Sequence, residues 1–274
     1  MAGSSVPLPF VDVREPTRPA ADAAPAVLIH GWASGSVYWE PLASTLLDAG
    51  WPVWILDLPG YPPGELWPPG REWTLESAAA SVAAAIATRT EAPVHLVGHS
   101  MGGSVSLTLA ADRPDLVATV TLVGMVPAPP NDAFKRLLLS QVEQGFLDAG
   151  TKAKLMDSWF GPLLPEDARE LLSSGFDVPF PVLSASATAA MTGVEPSVPG
   201  RVHAPLLVIA GSGDRVRSMD QMEAFVQAKP GVQAKPGRQL TVVPEAGHSV
   251  HWERPRECAE ALGGFWRSSG PPPA

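Results

Sequence analysis

Apolar residues in this chain fall into short unbroken runs, separated by stretches in which they recur every three or four positions. The runs are 26–31 (Ala-Val-Leu-Ile-His-Gly), 53–57 (Val-Trp-Ile-Leu-Asp), 94–98, 118–124, 206–211 and 240–243. Each is apolar throughout rather than alternating. That pattern predicts strands buried on both faces of a parallel sheet. Residues 6–13 predict a further strand at the edge.

Between the runs the period becomes helical. Residues 36–49 predict a helix with Ser36 as N-cap, stopping at Gly50. From Thr74, the span 74–88 places Leu75, Ala78, Ala79, Val82 and Ile86 on one face. Helices are also predicted over 101–112, 219–228 and 255–266, the last with Pro255 at its first position. Such alternation implies a doubly wound, mostly parallel sheet with right-handed crossovers. It stops between 127 and 202, where helical patterns appear at 132–148, 165–174 and 184–192 with no strand among them. A helical insertion of that length reads as a cap or lid. The predicted division is a core of 1–126 and 203–274 with a cap of 127–202.

Composition narrows the function. A formal charge of -9 gives no electrostatic footprint for nucleic acid or an anionic membrane. One cysteine, Cys258, excludes an internal disulfide. No apolar stretch is long enough to span a bilayer, and the first ten residues lack the basic-then-apolar pattern of a signal peptide. A cytoplasmic protein is the expectation, with oligomeric state left open. The 31 prolines cluster between the periodic segments and read as rigid loops, with 271–273 as a frayed tail. The direct repeat Val-Gln-Ala-Lys-Pro-Gly at 226–231 and 232–237 reads as a tolerated loop extension without chemistry.

The candidate chemistry sits where a strand run meets a helix. Gly98-His99-Ser100-Met101-Gly102-Gly103 places Gly-x-Ser-x-Gly at that turn. Flanking glycines allow a tight turn that presents the serine hydroxyl, and the Met101 amide lies at a helix N-terminus, ready for developing negative charge. A serine needs a base, and the base needs an acid. His248 follows the last strand run and Asp214 the one before, both at the carboxyl edge where open α/β sheets place their sites. Asp132 is a rival acid. Among the other histidines, His99 is expected to point away from Ser100, and His95 and His203 lie at the wrong end of the sheet. His251 is expected to pack beside His248, and His30 to be structural. The turn His30-Gly31-Trp32 brings the Trp32 amide toward the nucleophile as a second oxyanion donor, and each such donor is worth roughly 3 kcal/mol or more.

These residues, with Asp57-Leu58-Pro59-Gly60, Gly211-x-x-Asp214 and Gly247-His248, occur in the order of the α/β-hydrolase superfamily, which the chain resembles over nearly its whole length. The His-Gly-Trp turn, Trp39 and the Asp-Leu-Pro-Gly loop are similar to the carboxylesterases that include pimeloyl-carrier-protein methyl ester esterase. The chain departs from that pattern at 60–70, where prolines and Trp67 replace Gly-x-Gly-x-Ser, and its N-terminal hairpin is short. The resemblance implies an α/β-hydrolase fold and a serine hydrolase. Ser100, His248 and Asp214 would be catalytic, the Trp32 and Met101 amides would form the oxyanion hole, and no cofactor or metal would be needed.

The implied substrate is a small ester or related acyl compound with an apolar group. Lactone opening, thioester hydrolysis, C–C cleavage or acyl transfer would use the same residues. A non-catalytic binding protein on this fold is a third reading. A serine nucleophile argues against haloalkane dehalogenase and epoxide hydrolase chemistry. Trp32, Trp39, Trp159 and Phe160 are the candidate pocket residues. Arg201, Arg215 and Arg217 are candidates for holding a carboxylate, set against the ordinary reading of loop arginines as solvated.

Overall fold

The computed structural model describes residues 6–21, 23–161, 164–228 and 237–270. Seven strands form one sheet: β1 (Phe10–Arg14), β2 (Ala26–Ile29), β3 (Val53–Asp57), β4 (Val94–His99), β5 (Val117–Val123), β6 (Leu206–Gly211) and β7 (Arg238–Val243). Their order is β1-β3-β2-β4-β5-β6-β7. Only β1 runs antiparallel, pairing Phe10 with Asp57 and Arg14 with Val53. The edge strand thus lies a few residues beyond the predicted 6–13. The six apolar runs all became strands, within two residues at each end.

The sheet separates two apolar cores, and strand periodicity sorts residues between them. On β2, Val27 and Ile29 join one core while Ala26 and Leu28 join the other. On β3, Trp54 and Leu56 face the first, Val53 and Ile55 the second. Both faces are dry, so these strands alternate in direction without alternating in polarity. Each Leu or Ile fully buried this way contributes roughly 1.5–3 kcal/mol.

Helices α1 (Glu40–Asp48), α2 (Leu75–Ala87) and α3 (Met101–Asp112) cover the first half of the sheet. Thr74 caps α2 in a reciprocal capping box with Ser77. Ser36 is not the cap that the sequence predicts. Residues 36–39 form a 3-10 turn, and the Ser36 N–H instead donates to Asp57 Oδ1 at 2.7 Å. α4 (Asp132–Gln144), α5 (Ala149–Trp159), α6 (Glu166–Ser173), α7 (Phe180–Thr192) and α8 (Val198–Arg201) lie between β5 and β6. No strand occurs there among the described residues. The sequence pattern missed α5 and shortened α7 to 184–192. After β6 come α9 (Met219–Gln227), α10 (Val250–Glu253) and α11 (Pro255–Ser268). Positions 229–236 of the direct repeat and the prolines at 271–273 lie outside the described residues.

α1 packs against α11 on one face, and α2 against α3 on the other. The carboxyl ends of β4, β5, β6 and β7 therefore open toward the helices that follow β5. That edge is where the candidate residues converge.

Candidate active site

Ser100 stands between β4 and α3 with φ 50 and ψ -116, outside the regions that a side-chain-bearing residue ordinarily occupies. The surrounding backbone holds it there. Its N–H donates to the Val123 carbonyl at 3.0 Å, and its own carbonyl accepts from Gly103 N–H at 2.9 Å. Glycine is required on both sides for lack of space. A Cβ at Gly98 would run into the Gly102 carbonyl, and one at Gly102 into the Ile29 and His30 carbonyls. The turn therefore lies directly against the end of β2.

The His30-Gly31-Trp32 turn closes over it. A Cβ at Gly31 would lie 2.9 Å from His99 Nδ1 and 3.3 Å from Ser100 Cβ. No described residue accepts a hydrogen bond from the main-chain N–H of Trp32 or of Met101. The first N–H groups of a helix lack intrahelical acceptors, so Met101 presents a free donor beside the serine. His30 is fully buried and shapes this turn. Its Nδ1 lies 2.7 Å from the Gly31 carbonyl, and its Nε2 accepts from Leu58 N–H at 3.0 Å. Burial pushes its pKa below the usual histidine range, with Asp57 opposing. Neutral and doubly bonded, it ties the turn to the loop after β3.

His248 and Asp214 meet at the ends of β7 and β6. His248 Nδ1 lies 2.9 Å from Asp214 Oδ2, and both side chains are nearly inaccessible to solvent. Asp214 Oδ1 accepts from the N–H groups of Val216 and Arg217 at 2.7 and 3.0 Å. These three polar interactions fix the carboxylate and the imidazole tautomer, leaving Nε2 as the free ring nitrogen. Gly124, at φ +64 after β5, leaves room for the ring; a Cβ there would lie 2.6 Å from the His248 carbonyl. Asp132, the rival acid, is exposed at the start of α4.

Three more histidines occupy the core. His99 Nε2 lies 3.2 Å from the His248 carbonyl, and its ring packs against those of His248 and His251 at 4.9 and 4.4 Å. Burial drives His99 well below the ordinary range and His251 to about 3. His95 is stacked on Trp266 with its Nδ1 at 2.9 Å from Thr119 Oγ1, and burial lowers it to about 4. His203 is exposed.

Ser100 and His248 line one cavity, with Trp32 and Trp159 among its walls. The space in it open to solvent-sized molecules is about 30 Å³. Trp32 anchors to the following helices through Nε1, which donates to the Leu183 carbonyl at 2.8 Å. Trp159 stacks on Phe176 at 5.5 Å, and Trp32 meets both edge-on. Trp39 and Phe160 do not line the cavity. Trp39 is wholly buried in the opposite core with its ring 4.3 Å from that of His251, because the 3-10 turn aims it beneath the sheet edge. Phe160 packs on Tyr38 at 6.3 Å, one residue past the end of α5.

Other lining residues escaped the sequence reading: Tyr38, Phe134, Leu138 and Val216; Met191 of α7 lines the cavity as well. Glu253 also went unnoticed. Its carboxylate accepts from the N–H groups of Gly161 and Gly247, both at 2.8 Å, and Ser249 N–H donates to the Trp159 carbonyl at 2.7 Å. The His248 loop is thereby stitched to the end of α5. No local signal marks Glu253, since Gly161 lies 92 positions away. Among the described residues, no group of three or more His, Cys, Asp or Glu side chains could hold a metal ion, and no helix is long and apolar enough to cross a membrane.

Comparison with known proteins finds relatives in sequence and in fold. A pimeloyl-[acyl-carrier protein] methyl ester esterase of Neisseria meningitidis is 41% identical over 95 residues, 35% of this chain and 34% of that protein. Lipase LipV of Mycobacterium tuberculosis is 35% identical over 100 residues, 36% of each chain. The chain thus matches about a third of the length of these relatives. An esterase from Exiguobacterium antarcticum superposes with a TM-score of 0.81 at 19% identity, over 94% of this chain and 95% of the other. An enol-lactonase from Burkholderia xenovorans gives 0.77 at 18% identity, over 94% and 97%. These two show a shared fold. The sequence pattern of the alpha/beta hydrolase family matches residues 26–261, most of the chain. The protein therefore belongs to the alpha/beta hydrolase family.

Proposed function

We propose that this protein is a serine hydrolase that cleaves carboxylic esters through an acyl-enzyme. The observation that carries the reading is the 2.9 Å pairing of Asp214 with His248, which lines the same cavity as Ser100. The ester-hydrolase names of the relatives support the same class.

Ser100 Oγ attacks the ester carbonyl carbon while His248 Nε2 takes its proton. The carbonyl oxygen gains charge and is held by the N–H groups of Met101 and Trp32, which have no competing acceptor. Asp214 stabilises the imidazolium so formed. His248 returns the proton to the leaving alkoxide, and the acyl group stays on Ser100. Water then attacks with His248 as base, and the acid departs. The residues at 127–202 act as a cap. Phe134, Leu138, Trp159 and Met191 of that segment wall the cavity beside Ser100, so their movement would govern entry of substrate.

The test is an ester panel graded by acyl length, run beside lactones and thioesters, with the wild type and Ser100→Ala. Faster hydrolysis of esters that vanishes in the variant supports the reading. Full esterase activity in Ser100→Ala, or turnover confined to lactones or thioesters, overturns it.

A further inference from the structure

Arg217 is an anomaly in the cavity wall. It is the third residue after Asp214, on the loop that follows β6. Loop arginines are ordinarily solvated. Arg217 is only 7% exposed, and it lines the same cavity as Ser100 and His248. Its Nε and Nη1 are buried with no hydrogen-bond partner among the described residues. The other two arginines that the sequence singled out differ. Arg201 pairs with Asp112 at 2.8 Å and is about half exposed, and Arg215 is an exposed loop residue.

Asp214 does not satisfy the guanidinium. Its Oδ1 accepts two main-chain N–H groups, and its Oδ2 faces His248. Its charge acts on Arg217 through space only, opposing a burial effect that lowers Arg217 to about 10. Arg217 is therefore still a cation at neutral pH. A buried cation without hydrogen bonds is costly, and the cost is removed when an anion enters with matching acceptors. The rest of the nearby wall offers no such anion: Trp32, Phe134, Leu138 and Met191 are apolar, and Ser34 is neutral. The chain's charge of -9 repels anions at long range, so affinity for one has to come from a short-range contact.

We propose that Arg217 is the anchor for a carboxylate carried by the substrate, so that the enzyme acts on anionic esters such as monoesters of dicarboxylic acids. The proposal rests on the esterase reading and adds a substrate class to it. A guanidinium and a carboxylate form paired N–H···O bonds of fixed geometry. The loop of Asp214 sets where that pair forms, because the Arg217 main chain is bonded to the same carboxylate that orients His248. Anion binding would thus set the distance from substrate carboxylate to scissile ester.

The test compares two esters of equal chain length, mono-p-nitrophenyl adipate and neutral p-nitrophenyl hexanoate. Wild type is expected to favour the anionic ester by at least about 10-fold in kcat/KM, and Arg217→Met to cut that ratio about 10- to 100-fold through KM. Arg217→Lys should restore part of the ratio, and it also serves if the methionine variant misfolds. A ratio near one in the wild type, or a ratio preserved in Arg217→Met, overturns the proposal. A purely structural role for Arg217 would slow both esters alike and leave the ratio intact. Calorimetric titration of adipate into Ser100→Ala provides a readout independent of turnover, with binding expected to weaken at least about 10-fold when Arg217→Met is added. Absence of that dependence contradicts the carboxylate site even if no ester is hydrolysed. Failure of a fluorophosphonate to label Ser100, with neither ester turned over, strikes the esterase reading itself.

Discussion

The sheet edge and the helices between β5 and β6, proposed above as a cap, are held by different physics. Ser100, Asp214 and His248 are fixed by main-chain contacts at strand ends, where Gly98, Gly102 and Gly124 leave no room for even one extra carbon. Those helices are attached through scattered polar ties: Trp32 to Leu183, Tyr38 to Leu172, Tyr61 to Ser186, Asn131 to Arg215, and Glu253 to Gly161. Between the ties lies apolar contact that tolerates side-chain exchange. The difference teaches where change is tolerable. On the proposed mechanism, chemistry would sit on positions that sterics over-determine, and selectivity on positions that they do not.

The largest expected break is on the sheet side. His248→Ala should lower kcat/KM for a good ester by on the order of 10⁴–10⁶-fold, and Asp214→Asn by about 10⁴-fold, with little change in thermal midpoint. Activity retained within tenfold in either variant would show that the pairing does not serve catalysis. Next comes the turn itself. Gly102→Ala drives a methyl into the β2 carbonyls and should cost about 3 kcal/mol, read as a lower denaturant midpoint.

Acid should also strike the sheet side. His30, His95, His99 and His251 are all buried with depressed pKa values, two of them at about 4 and about 3. Unfolding returns each to about 6.5, so below that pH the unfolded chain binds more protons. Stability is complete above pH 6.5 and falls as pH drops toward the folded values. His95 and His251 should each remove up to about 2 kcal/mol between pH 6.5 and pH 5, with His30 and His99 acting in the same direction. A thermal midpoint that is flat over this range in the wild type, or as steep in His251→Gln, would contradict the assignment.

Effects at the seam and in the cap should be smaller. Glu253→Gln keeps one acceptor for two N–H groups and should cost about 1.5 kcal/mol, with activity falling about tenfold as the His248 loop loosens. Met191→Ala should leave hydrolysis intact and shift the preferred acyl length upward, changing the ratio of long to short esters about tenfold. An unchanged profile there would mean that the cap does not set selectivity.

This contrast also explains what was legible in the sequence. Strands buried on both faces announce themselves as apolar runs, and Gly-x-Ser-x-Gly carries its own steric reason, so the sheet and Ser100 could be read directly. Trp39 could not. Its neighbours resemble a pocket wall, yet one 3-10 turn sends the ring to the opposite core. α5 has two poor helix formers, Gly150 and Thr151, in its first turn, and its clearest signal is the Asp148 cap on Thr151. Glu253 and Arg217 look like surface charges in sequence because their environment is built from residues far away. For Arg217 that environment is the whole active-site cavity.

The most direct test of the account is to locate the nucleophile. Treatment with a fluorophosphonate, followed by peptide mass spectrometry, should find one adduct on Ser100. The adduct should be absent in Ser100→Ala and strongly slowed in His248→Ala, in step with the loss of ester hydrolysis. Modification of a different serine, or hydrolysis undiminished in Ser100→Ala, would contradict the central claim.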